Sequence, residues 1–171
     1  YDEACIVLRE MIDILCCDMY KKNLVSSRFT WWISYDYKSL EYFPNYDGRL
    51  SIDRYGRLHP AHSNGTVRLS AATNTAKIIT ERIMQDVDKK SDHRILLRRL
   101  GVCACDVTSD EGMYQMDLFT DYDALNKEKQ LHAALLEVRT KYGANALLKG
   151  INLLDGATTK MRNEQIGGHR A

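Results

Sequence analysis

No apolar run in this chain approaches the ~18 residues needed to cross a bilayer, and its first residues lack the basic, apolar and small-residue order of a signal peptide. The expected location is therefore the cytoplasm. A glycine-rich phosphate loop is missing too, since Gly167-Gly168 has no helix after it. Asp13 with Asp18, and Asp86 with Asp88, fit solvated helix faces, whereas a two-metal centre draws its carboxylates from separate strands. His59, His62, His93, His132 and His169 are scattered, without the spacing of a catalytic or metal-binding set. The five cysteines, Cys5, Cys16, Cys17, Cys103 and Cys105, are odd in number and sit mostly in apolar stretches, which suggests reduced thiols rather than a disulfide scaffold. Cys103-Ala104-Cys105 has no second ligand pair at zinc spacing, so no metal, cofactor or catalytic residue is expected within this chain. An excess of one charge sign is also lacking. Twenty-four Lys plus Arg against twenty-three Asp plus Glu leave a net charge of +1, so only the distribution of charge can point to a nucleic-acid partner.

What is present is the material of one core and an appendage, in 171 residues of which 44% are hydrophobic. Ile6, Met11, Ile14, Leu15 and Met19, widened by Cys5, Val7, Leu8 and Ile12, predict a helix from Asp2 to about Asn23. A helix that begins almost at the first residue suggests a piece of a longer protein. Arg28 to Tyr35 has the aromatic and β-branched composition of a strand, with Phe29, Trp31, Ile33 and Tyr35 on one face and Arg28, Thr30, Trp32 and Ser34 on the other. Residues 36–64 turn polar and aromatic, and the turns Tyr46-Asp47-Gly48-Arg49 and Arg54-Tyr55-Gly56-Arg57 predict an excursion loop or a short hairpin.

Gly65 to Ser70 alternates, with Val67 and Leu69 inward and Thr66, Arg68 and Ser70 outward. Thr73 or Asn74 is the expected cap of a helix that carries Ile78, Ile79, Ile83, Met84 and Val87 to about Lys90. His93 to Asp106 predicts a long strand, and Tyr122 to about Tyr142 a further helix ended by Gly143. Residues 144–171 have little to bury and predict a flexible tail. The expectation is an α+β fold: an antiparallel or mixed sheet of about four strands with two helices on one face, plus a C-terminal helix and tail. The expected divisions are 1–110, a linker at 111–121 and 122–171.

A sheet with one open face presents alternate residues ~6.6 Å apart along each strand, a spacing on which arginines and hydroxyls can hold phosphates. Arg28, Thr66, Arg68, Ser70 and Arg99 are the candidates, with Arg98 as well. Arg98 has the opposite parity to Arg99, so a bulge or a strand end must place one of them. A second signal is Gln115-Met116-Asp117-Leu118-Phe119, an apolar pair inside an acidic, glycine-bearing stretch. Leu118 and Phe119 have the character of peptide anchors for a pocket on another protein, with the Gln115 amide fixing register.

Gln-x-Asp-Leu-Phe resembles the peptide by which bacterial replication and repair proteins dock on the ring-shaped sliding clamp, with Met116 in the place usually held by Leu. Leu97-Arg98-Arg99-Leu100-Gly101-Val102 resembles the closing strand of the little finger of bacterial Y-family translesion DNA polymerases of the UmuC/DinB-like group. The tail from Asp155 to Arg170 is similar to the C-terminal end of one branch of that family, and the order of strands and helix follows it. The resemblance spans nearly the whole chain. It implies a little-finger-like region that holds the phosphates of a template-primer duplex, tethers to the clamp (the polymerase β subunit), and catalyses nothing itself. The parent polymerase and its Mg2+ carboxylates would lie upstream. Cys103 stands where the family commonly has a basic side chain, and the insertion at 36–64 is larger and more aromatic than a minimal little finger needs. The rival readings are a non-catalytic clamp-binding adaptor and a plain cytosolic interaction domain.

Overall fold

The computed structural model describes residues 1–111, 122–166 and 169–170, so the Gln115–Phe119 peptide lies outside the described residues. The chain runs α1 (Asp2–Lys21), β1 (Leu24–Tyr35), α2 (Ser39–Tyr42), β2 (Leu50–Ile52), β3 (Leu58–Pro60), β4 (Ser63–Thr73), α3 (Ala76–Lys90), β5 (Leu97–Cys105), β6 (Thr108–Ser109) and α4 (Tyr122–Tyr142). A 3-10 turn (Gly150–Leu153), α5 (Thr159–Asn163) and the two-residue pair β7 (Gln165–Ile166) and β8 (His169–Arg170) follow. The expected fold class holds. The main sheet is antiparallel in the order β4-β1-β5, with β6 paired to the start of β1, and α1 and α3 cover one face.

Both helices form where expected, but the buried stripe of α1 runs through Leu8, Ile12, Cys16 and Met19, while Ile6, Met11, Ile14 and Leu15 are only half-buried. Leu8, Ile12, Cys16 and Met19 on α1 and Ile79, Ile83 and Val87 on α3 recur at three- and four-residue spacing and are buried against Phe29, Trp31, Ile33 and Tyr35 of β1. Asp2 and Glu3 in the first turn of α1 and Lys21 in its last turn complement the helix dipole, and Asn23, at φ 53°, turns the chain into β1. Burying aromatic rings of ~150–250 Å2 each makes β1 the main hydrophobic contributor to the core.

Gly65 sits opposite Trp31 for a steric reason. The Trp31 indole N–H donates to Asp86 at 2.9 Å, Lys90 pairs with the same carboxylate at 2.9 Å, and a Cβ on Gly65 would lie 2.5 Å from Trp31 Nε1. Gly65→Ala is expected to cost about 1–3 kcal/mol by overpacking this buried spot. A denaturant melt reads the loss, and an unchanged midpoint would contradict the close approach.

Several boundaries differ from expectation: β1 begins at Leu24 rather than Arg28, and β4 spans Ser63–Thr73 rather than residues 65–70. The last long strand starts at Leu97, not His93, because the Asp92 carboxylate accepts the Arg94 backbone N–H at 3.0 Å and bends the chain there. Neither Thr73 nor Asn74 caps α3. Thr73 Oγ1 accepts the Thr75 N–H, Asn74 donates to the Leu24 carbonyl, and Glu128 of α4 accepts the Lys77 N–H at 3.3 Å.

The larger difference is the tail. Residues 144–165 pack on α1, with Asn152 and Thr159 buried, instead of forming a flexible end. Their anchor is Glu10, only 1% exposed. Its carboxylate accepts hydrogen bonds from Asn152 Nδ2 (3.0 Å), the Thr158 N–H (2.8 Å) and hydroxyl (3.0 Å), and the Thr159 N–H (3.1 Å). Burial works to raise the Glu10 carboxyl's pKa, yet these donors outweigh it and hold it below the ordinary value.

Candidate nucleic-acid interface

The face of the sheet away from α1 and α3 is built by strict alternation. On β1, Arg28, Thr30, Trp32 and Ser34 point there, and the register sets each beside partners on both neighbouring strands. Arg28 lies between Arg68 and Cys105, Thr30 between Thr66 and Cys103, and Trp32 between Asn64 and Gly101, while Ser34 faces Arg99. Gly101 leaves the space that the Trp32 ring fills, since a Cβ there would stand 2.6 Å from the indole nitrogen.

Thr66 and Arg68 are exposed on β4. Ser70 is exposed as well, beyond the break in register between Ser26 and Arg28. Arg28 is less free than the strand pattern suggests, because its guanidinium pairs with Asp106 at 2.8 Å. Asp106 reaches it from a left-handed position, φ 48°, just after β5.

The parity conflict between Arg98 and Arg99 is resolved by a bulge. Ser34 pairs with Arg99 and Tyr35 with Leu97, so Arg98 is the extra residue of β5. Both arginines are exposed and line one cleft, and among the described residues neither has a carboxylate partner. The four candidate arginines thus form two groups. Arg28 and Arg68 lie near one end of the face and Arg98 and Arg99 near the other, six β1 residues or ~20 Å apart, with Thr30, Thr66 and Trp32 between.

The cleft at the Arg99 end is the part of the site that the sequence left unassigned. It measures about 830 Å3 and lies between the open sheet face and the β2–β3 hairpin. Arg54, Arg57, Tyr55 and His59 from the hairpin, with Tyr37 just after β1, line it together with Arg98 and Arg99. The hairpin tip is fixed by Asp53, whose carboxylate accepts the Tyr55 N–H at 2.8 Å, the Arg57 N–H at 3.0 Å and the Arg57 Nε–H at 2.9 Å. Gly56, at φ 78°, supplies the turn that this requires. Slight desolvation works against them, but these donors push the Asp53 carboxyl down to about 2, so the tip keeps its anion at any ordinary pH. The hairpin bears out the expectation of a turn at Arg54–Arg57. The sequence signal that could have pointed to the cleft is the crowding of arginine and tyrosine there.

A second cluster lies on the helical side. Asp13 and Cys17, one turn apart on α1, and His132 of α4 bring a carboxylate oxygen, a sulfur and a ring nitrogen within 4.8 Å of one another. Lys149 Nζ stands 2.5 Å and Arg139 Nη1 3.8 Å from Asp13, so two fixed cations already occupy the carboxylate. Burial, with the Asp13 charge beside it, pushes the Cys17 thiol up, and burial pushes the His132 imidazole down. The Mg2+ of a polymerase takes an all-oxygen octahedral shell, whereas this set offers sulfur and nitrogen beside a single carboxylate. The donor set does not fit that ion, and the cluster instead ties α4 and the C-terminal segment to α1.

Among the described residues no helix is long and apolar enough to cross a membrane. Comparison with protein-family models, with curated proteins and with solved structures finds no match to this chain.

Proposed function

We propose that this chain is the DNA-holding and clamp-tethering region of a bacterial Y-family translesion polymerase, working in the cytoplasm on a template-primer duplex. The reading rests on the resemblance of Leu97–Val102, of the Gln115–Phe119 peptide and of the Asp155–Arg170 tail. The observation that carries it furthest is the sheet face away from α1 and α3, exposed among the described residues at Thr66, Arg68 and Ser70, with arginines near both of its ends. Such a surface binds by charge and by short donors: Arg68 and Arg99 meet phosphate oxygens, Thr66 and Ser70 add hydroxyls, and none of them enters a groove to read base edges. Sequence-blind grip suits a polymerase that copies damaged templates. In this role the chain forms and breaks no bond. Polymerisation and its Mg2+ belong to carboxylates outside it.

Arg68→Ala and Arg99→Ala are each expected to weaken duplex binding by a similar factor on unrelated sequences. Each should also reduce the slope of log affinity against log salt by about 1. Fluorescence anisotropy between low and moderate salt reads both quantities. A loss confined to one sequence, or an affinity indifferent to salt, would count against phosphate contacts and favour the plain interaction domain.

A further inference from the structure

The β2–β3 hairpin carries a stack that duplex phosphate binding does not use. The Arg57 guanidinium carbon lies 5.1 Å from the centroid of the Tyr37 ring and 5.2 Å from that of Tyr55, and the Arg54 guanidinium lies 4.6 Å from the Tyr55 centroid. Arg54, Tyr55, Arg57 and Tyr37 therefore form a ladder of alternating cations and rings along one wall of the cleft. Asp53 holds Arg57 through two donors, Nε at 2.9 Å and Nη2 at 2.8 Å, so the ladder is set before any ligand arrives. Tyr55 is 65% exposed despite these neighbours, which leaves ring surface for a further partner.

The opposite wall supplies the complementary chemistry. Arg98 and Arg99 project from the bulge into the same 830 Å3 space, beside Ser34 and Ser51. Four arginines against one aspartate, Asp53, give the cleft a strong positive excess in a chain whose overall charge is near balance. A volume within the roughly 300–1,000 Å3 of small-ligand sites admits bases, whereas an intact duplex is too wide to enter. Planar π-faces on one side and unpartnered guanidinium groups on the other are the two elements by which proteins hold a single strand without reading its sequence.

We infer that the cleft between the β2–β3 hairpin and the β5 bulge binds unpaired nucleotides of a DNA strand, with bases stacked on the Tyr37–Arg57–Tyr55 ladder and phosphates on Arg98 and Arg99. The inference rests on the proposed DNA role for its class of ligand and adds a second, single-strand mode to the duplex grip. Because Ser34 and Arg99 belong both to the open face and to the cleft, one strand can pass from the first to the second without leaving the protein. An acidic peptide would satisfy the arginines equally, but it has no use for the stacked rings.

Anisotropy with the 171-residue chain tests this. Three probes are used: a blunt duplex, the same duplex with a six-thymidine single-stranded extension, and oligo(dT) alone. The extension is expected to tighten binding roughly tenfold, the effect of about one stacked base. The pair Tyr37→Ala/Tyr55→Ala should remove that gain and leave blunt-duplex affinity unchanged, and the pair Tyr37→Phe/Tyr55→Phe, which keeps the rings, should retain it. An extension that adds nothing, a gain that survives the alanine pair, or displacement of oligo(dT) by poly-glutamate at equal charge would overturn the single-strand site. Failure to bind the blunt duplex while oligo(dT) still binds in a tyrosine-dependent way would instead sink the duplex grip and leave the cleft standing. Circular dichroism of each variant keeps loss of fold apart from loss of binding.

Discussion

Glu10→Ala is expected to lower stability by about 3–5 kcal/mol and to release residues 144–165 from α1, because the substitution strands several buried donors at once. Asn152 Nδ2 and the backbone N–H groups of Thr158 and Thr159 all point at the Glu10 carboxylate and have been taken out of water to do so. Removing the anion leaves them no acceptor of equal strength. Glu10→Gln should cost less, since one oxygen remains, but its amide N–H groups would confront some of the same donors. Hydrogen exchange across 144–165, read beside a denaturant melt, separates local release from global loss. If neither the midpoint nor the exchange rates move, the carboxylate is not the anchor.

The same site has a pH signature. Folding holds the Glu10 carboxyl below its ordinary value, so its contribution is complete above the ordinary Glu range near ~4.3 and disappears as pH falls through the lower folded value. The C-terminal segment should therefore stay docked at neutral and mildly acidic pH and undock in stronger acid, and Glu10→Gln should remove most of that dependence. Undocking that begins at pH 6 would point to another group.

Leu118→Ala combined with Phe119→Ala is expected to weaken clamp binding by about 10^3-fold, taking ~2 kcal/mol for each buried anchor, while the melting curve stays where it is. Two apolar anchors within one short peptide account for most of such an interface, and the polar residues around them mainly fix register. A melting transition that collapses with the double substitution would show that these side chains belong to the core of the chain itself. Gln115→Ala should cost less than either anchor.

The elements legible in the sequence were those whose burial is local and periodic. Phe29, Trp31, Ile33 and Tyr35 announce both a strand and its inner face, and Ile79, Ile83 and Val87 announce the stripe of α3. The docked tail was not legible because its anchor looks ordinary. A glutamate on a helix among other charges reads as solvated, and the partner that buries Glu10 lies 142 residues away in sequence. The strand start at Leu97 was missed because Asp92 acts on the backbone through a side chain that pattern reasoning treats as mere polarity. On the sheet face, strand parity alone separated Arg99 from Arg98 and called for a bulge or a strand end, and a bulge is there. The cleft depends on how the hairpin stands over the sheet. No period records that.

β6 and α4 are secured together through one residue. The Asp110 N–H donates to the Asn23 carbonyl at 2.9 Å, and the Lys129 ammonium lies 3.7 Å from the Asp110 carboxylate, so Asp110 joins the turn before β1 to α4. A displacement of α4 is therefore felt at the turn between α1 and β1. β6 and α4 share that anchor, so the edge of the sheet and the helix after it hold each other in place.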